Sequence, residues 1–156
     1  MDEFAPPSEQ EHRAARTALV EWLESLAHNP VVAEVVEDGE SDLDRWFVRV
    51  HGETKDVYSV WFTLGQRTLA YESYVMPAPV ENHADFFEQL LQRNNSLHEL
   101  AFTIGDEHAV FLKGRMDLRH LDHEVLDRVL GSIYAAVERS FLPSLRLGFP
   151  SRFAAD

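Results

Sequence analysis

Between Asp42 and Met76 the chain alternates apolar and polar residues through three stretches, and the breaks between them are only a few residues long. Gly52-Glu53-Thr54 separates Asp42–His51 from Val57–Leu64, and Gly65-Gln66-Arg67 separates the latter from Thr68–Met76. A parallel pairing needs a crossover of about a dozen residues or more, so breaks this short join hairpins and the sheet must be mainly antiparallel. Side chains change face at every strand residue. Trp46, Val48 and Val50 therefore point one way and Phe47, Arg49 and His51 the other, while Tyr58, Val60, Phe62 and Leu64 oppose Val57, Ser59, Trp61 and Thr63.

The flanking segments supply helices. Ser8 is a candidate N-cap, and Ala15, Leu19, Trp22, Leu23 and Leu26 then recur at helical spacing up to the stop at Asn29-Pro30. Val31–Val36 is β-branched and reads as a first strand. After Pro77 and Pro79, Asn82 is placed to cap a helix whose buried stripe is Phe86, Phe87, Leu90 and Leu91, with Asn94-Asn95 as a left-handed exit. A hairpin follows over about 100–104 and 109–113, turning at Gly105-Asp106-Glu107. Asp122 caps the last helix, lined by Val125, Leu126, Val129, Leu130, Ile133, Val137 and Phe141 and stopped by Pro143.

The order is α-β-β-β-β-α-β-β-α, an α+β fold with a mainly antiparallel sheet and helices packed on one face. One domain is expected over residues 8–142, with a flexible tail at 1–7 and a C-terminal tail at 143–156. The predicted core is Leu19, Trp22, Leu23, Val48, Val60, Phe62, Phe86, Leu90, Phe102, Leu112, Leu126, Leu130 and Ile133.

Composition narrows the function classes. The 156 residues hold no cysteine, so no disulfide, thiolate metal site or cysteine nucleophile can be built. With 27 acids against 14 Lys and Arg the formal charge is −13, a surface that repels phosphate backbones and anionic membranes. No apolar run approaches the roughly 20 residues of a membrane span, and Met-Asp-Glu-Phe-Ala-Pro-Pro lacks the features of a signal peptide. A cytoplasmic protein that binds neither nucleic acid nor membrane is expected.

The densest set of potential metal ligands is Asp117, His120, Asp122, His123 and Glu124. The histidines straddle a helix start, and acids at such a start are explained by the helix dipole, so no metal site is assigned. No Gly-x-Ser-x-Gly elbow, phosphate-cradling glycine loop or isolated carboxylate on an apolar face is present, so no catalytic residue and no cofactor are assigned either.

Phe47 and Trp61 remain, both phased away from the helix-covered core. Burying such rings is worth roughly 1.5–3 kcal/mol each, which gives a partner something to gain. They are the candidate partner-binding residues, for a second copy or a client protein. The alternative is that the apolar segment Leu145–Phe153 folds back over them.

The run Asp85-Phe86-Phe87-Glu88-Gln89-Leu90-Leu91-Gln92-Arg93-Asn94-Asn95, the hairpin with Gly105-Asp106 and Val110-Phe111-Leu112-Lys113-Gly114, and Leu121-Asp122-His123-Glu124-Val125-Leu126 together resemble the YbjN family. By element order the resemblance spans residues 8 to 142. It implies a fold similar to that of type III secretion chaperones, often dimeric, among relatives described as sensory transduction regulators. The chaperones bind extended segments of client proteins. A non-enzymatic protein-binding module, chaperone-like or regulatory, is therefore expected, with a structural or regulatory homodimer and an enzyme of unfamiliar site as the alternatives.

Overall fold

The computed structural model describes residues 5–152. Its elements are α1 (Glu9–Ser25), β1 (Val32–Glu37), β2 (Asp44–His51), β3 (Val57–Leu64), β4 (Thr68–Met76), α2 (His83–Asn94), β5 (Ala101–Ile104), β6 (Val110–Asp117) and α3 (His123–Gly148). The strands form one antiparallel sheet in the order β1-β2-β3-β4-β6-β5. This is the α+β order read from the sequence. No helix among the described residues is long and apolar enough to cross a membrane.

All three helices pack on one face of the sheet. Their apolar stripes meet Trp46, Val48, Val50, Tyr58, Val60, Phe62, Leu69 and Tyr71, which are all buried. Every residue of the predicted core is buried. Trp22 sits edge-on to Phe62 with ring centroids 5.4 Å apart, and its indole N–H donates to Asp127 Oδ1 at 2.8 Å. A buried indole needs such a partner. Ser8 caps α1 through a capping box with Glu11, and the Asp122 carboxylate accepts from Val125 N at 2.8 Å to open α3.

Several local expectations are corrected. Pro143 does not end α3, which runs on to Gly148. Pro143 and Arg139, whose carbonyl loses its helical N–H partner, both lie on the solvent side. The next turns are anchored instead: Ser144, Gly148 and Phe149 are buried. Gly148 comes so close to Phe86 and Pro79 that a Cβ there would lie 2.8–2.9 Å from their side chains. Asn82 is in left-handed backbone (φ 54°) with no capping bond to α2; its side-chain amide donates to Leu147 O at 2.8 Å, while Val80 and Glu81 N–H groups donate to Gly148 O. The residue expected to start α2 therefore closes the end of α3. Leu91, expected in the buried stripe of α2, is 67% exposed, while Phe86 and Leu90 hold the core contact.

Asn94-Asn95 is not a left-handed exit, since Asn95 is right-handed helical (φ −60°). Asn94 instead acts as one residue of an extra strand. Its Oδ1 accepts from Phe102 N at 2.7 Å and its Nδ2 donates to Phe102 O at 3.3 Å. This carboxamide satisfies the outer edge of β5, which no strand covers. Asn94→Ala is expected to cost about 1–3 kcal/mol and to speed amide exchange at Phe102. Unchanged protection at that amide would refute the edge-cap role.

Candidate functional site

The face of the sheet away from the helices carries the side chains that the fold does not consume. Cross-strand pairing sets Phe47 opposite Trp61, Trp61 opposite Glu72 and Glu72 opposite Lys113. The next rows bring Arg45, Thr63, Ala70 and Arg115 into line, then Arg49 beside Ser59. Phe47 and Trp61 thus share the open face, as their alternation requires. Their rings lie 4.9 Å apart, tilted by 51°, a pairing worth about 0.5–1.5 kcal/mol beyond its area.

The rings are half-buried, and two arginines of β2 lie over them. The Arg45 guanidinium lies 4.1 Å from the Trp61 ring centre and that of Arg49 lies 5.6 Å from Phe47. Each such cation–aromatic contact is worth about 0.5–1 kcal/mol at an exposed site. Arg49 is also ion-paired to Glu34 at 3.0 Å, whereas Arg45 Nε is 3.8 Å from Asp38 and has no hydrogen-bond acceptor. The signal was present in the sequence: Arg45, Phe47 and Arg49 share a face because they are two residues apart.

The described part of Leu145–Phe153 does not fold over these rings. It lies on the helix side, with Phe149 buried and the carbonyl of Gly148 held by the segment after Pro79. Phe153 falls outside the described residues.

Beside Trp61 the face sinks into a shallow hollow of about 410 Å³, lined by Thr63, Ala70, Glu72, Lys113 and Arg115 with backbone from Tyr71 and Gly114. The short Ala70 side chain, placed between Thr63 and Arg115, leaves the room. Glu72 is paired with Lys113 at 3.4 Å, and Arg115 is exposed with no partner among the described residues. A second concavity, about 230 Å³, lies between α2 and β5, where Leu91 and Ile104 are 67% and 56% exposed beside Phe87 and Phe102.

No three His, Asp or Glu side chains converge as a metal-holding group among the described residues. Asp117, His120, Asp122, His123 and Glu124 spread over the turn from β6 into α3: Asp117 caps the short turn at Leu118–His120, Asp122 caps α3, and His120, His123 and Glu124 are exposed.

Lys55 went unnoticed in the sequence. Its ammonium donates to Tyr74 O at 2.9 Å and Val75 O at 2.7 Å, where the pairing of β4 with β6 slips by one residue. The rings of Tyr74, Phe141 and Tyr58 surround it at 5.1, 5.5 and 5.9 Å. The turn that carries Lys55 is fastened to α3 by Glu138, whose carboxylate accepts from Thr54 N at 2.7 Å and Glu53 N at 3.1 Å. No local pattern announces a lysine whose acceptors are 19 and 20 residues away.

Burial pushes the Lys55 ammonium from 10.5 down to about 8. Above pH 8 the folded chain releases this proton while the unfolded chain holds it up to 10.5, so stability should rise with pH through that window. Burial raises Tyr58 and also Tyr71, the latter to about 12, so their contribution is lost only above the ordinary tyrosine value of 10. We expect the denaturation midpoint to rise between about pH 7.5 and 9.5 in wild type and to stay flat in Lys55→Met. The same rise in both proteins would rule Lys55 out as its source.

An antiparallel sheet with three helices on one face and an uncommitted opposite face defines the chaperone-like α+β class. A chain in the structure of the HopA1–SchA chaperone–effector complex superposes with a TM-score of 0.57 at 11% identity, covering 86% of this chain and 98% of that one. The likeness is one of fold. A family model described as YbjN, "Putative bacterial sensory transduction regulator", matches residues 16–143, and the chain belongs to that family. An uncharacterized protein of Mycobacterium leprae (strain TN) is 35% identical over 107 residues, 69% of this chain and 58% of that protein. One from Mycobacterium tuberculosis (strain H37Rv) is 34% identical over 104 residues, 67% of this chain and 57% of that protein. The chain therefore matches well under two thirds of the length of these relatives.

Proposed function

We propose that this is a non-enzymatic protein-binding module, chaperone-like or regulatory, that engages its partner through the open sheet face around Phe47 and Trp61. One observation carries the reading: two adjacent large rings stand on a sheet face that no part of the described chain covers except Arg45 and Arg49. Arginine and tryptophan at the centre of a flat surface are the residue types that dominate binding energy at protein interfaces. Membership of the YbjN family and a fold shared with a chain of a chaperone–effector complex support it.

Trp61→Glu tests the proposal. It puts a carboxylate on the rim of the hollow and removes the platform for Arg45, while the helix-side core stays intact. The variant is expected to keep its melting temperature within a few degrees and to lose at least tenfold in partner capture from lysate. Unchanged capture by a folded Trp61→Glu protein would place the interface elsewhere.

A homodimer is the second reading, and what favours it is the concavity between α2 and β5. Leu91 and Ile104 are among the most exposed large apolar residues described, and both line that concavity. Native mass spectrometry of wild type beside a Leu91→Arg variant separates the readings, since only a dimer through this groove halves in mass.

A further inference from the structure

We infer that the occupant of the open face is an extended acidic segment of another protein, with an apolar side chain on the Phe47–Trp61 pair and a carboxylate in the hollow at Arg115. This rests on the protein-binding reading above and specifies the chemistry of the partner.

The hollow holds two cations, Lys113 and Arg115, against one acid, and that acid, Glu72, is neutralised by Lys113 at 3.4 Å. Arg115 is left over. Arg115 is exposed, has no carboxylate partner among the described residues, and lies in the hollow beside the ring pair. Its guanidinium presents a planar fork suited to bidentate carboxylate recognition. Arg45, stacked on Trp61, adds a second cation at the rings, its Nε buried and 3.8 Å from Asp38. Cations therefore stand on both sides of the ring pair, Arg45 and Arg49 over the rings and Arg115 beyond Ala70.

Spacing adds a further constraint. Trp61 and Thr63 are two residues apart on β3, and the row of Thr63 continues through Ala70 to Arg115. Successive same-face positions on a strand are about 7 Å apart. A segment lying along β3 in extended form would thus place an apolar side chain over Trp61 and its next same-face side chain, an acid, over the hollow. Partner carboxylates would meet Arg115 and Thr63 there without displacing the Glu72–Lys113 pair.

The test uses the full chain and three synthetic twelve-residue peptides: three repeats of valine-serine-glutamate-serine, which set valine and glutamate in turn on one face of the extended chain, the same with glutamine for glutamate, and the same with lysine. Binding is followed by the indole N–H resonance of Trp61 and by titration calorimetry. The glutamate peptide is expected to move the Trp61 resonance and to bind at least fivefold more tightly than the glutamine peptide, with the advantage shrinking as salt is raised. Arg115→Gln should abolish that advantage while leaving the melting temperature and the glutamine-peptide affinity unchanged. Equal binding of the glutamate and glutamine peptides, tighter binding of the lysine peptide, or a preference that survives Arg115→Gln would overturn the acidic-segment assignment. If the glutamine peptide binds at Trp61 as well as the glutamate peptide, the face remains a docking surface and only its acidic preference falls. If no peptide moves the Trp61 resonance, the acidic segment is refuted, and the lysate capture by Trp61→Glu decides separately whether the face binds protein at all. A dimer mass that Arg115→Glu disperses would give the face to a second copy and overturn the assignment as well.

Discussion

Gly114→Ala should unfold the β5 side of the sheet, at an expected cost on the order of 3–5 kcal/mol. Gly114 lies on β6 with its Hα side toward the helices, and a Cβ there would come within 2.0 Å of Glu99 O and 2.5 Å of the Tyr71 ring. Neither neighbour is free to yield. Glu99 is itself in left-handed backbone (φ 61°), its carbonyl accepts the Tyr71 hydroxyl at 2.8 Å, and its carboxylate is paired with Arg128 at 3.1 Å. The methyl group must push the segment before β5 outward and break the tyrosine bond, leaving a buried hydroxyl unpaired. A fall of roughly 10 °C in melting temperature is expected for a chain of this size. A shift below about 1 °C would mean that the segment around Glu99 relaxes without detaching from the sheet.

Phe62→Ala is expected to cost about 3–5 kcal/mol by leaving a cavity. Phe62 is fully buried in the middle of β3, edge-on to Trp22 of α1 at 5.4 Å and 6.4 Å from Tyr71 of β4. Its loss therefore weakens the contact between helix layer and sheet at the centre. We propose that the chain melts as one cooperative unit, and Phe62→Ala should lower that single transition by calorimetry. Two separated transitions, in wild type or variant, would contradict one core. Leu91→Ala is the natural control. Leu91 is 67% exposed, so its truncation should stay within about 0.5 kcal/mol.

Those two leucine and phenylalanine positions show where sequence reasoning holds and where it gives out. Phe62 was legible because period-two alternation leaves no freedom: once Val60 and Leu64 face the helices, so does Phe62. Leu91 was not, because a helix stripe four residues wide can rotate by one position, and the groove between α2 and β5 is open at the position Leu91 takes. The candidate site divides the same way. The shared face of Phe47 and Trp61 follows from register alone, while the hollow at Ala70 and Arg115 depends on which strands neighbour β4. That β6 and not β5 lies beside β4 is a tertiary choice.

What the sequence by itself determined is whatever is local and periodic: the order of elements, the antiparallel hairpins, the caps at Ser8 and Asp122, and the inward faces of β2 and β3. Repeating side-chain directions and short-range hydrogen bonds decide these within a few residues, before any long-range contact forms. Tertiary structure alone decided the rest. It carried α3 past Pro143, because burial of Ser144, Gly148 and Phe149 outweighs one helical bond lost on the solvent side. It turned Asn82 and Asn94 from helix-end residues into clasps for α3 and β5. It also placed Lys55 among rings from β3, β4 and α3 and left Arg115 beside Trp61 without a partner among the described residues. Each of these depends on what distant parts of the chain bring within 3–6 Å, and no local pattern encodes that distance.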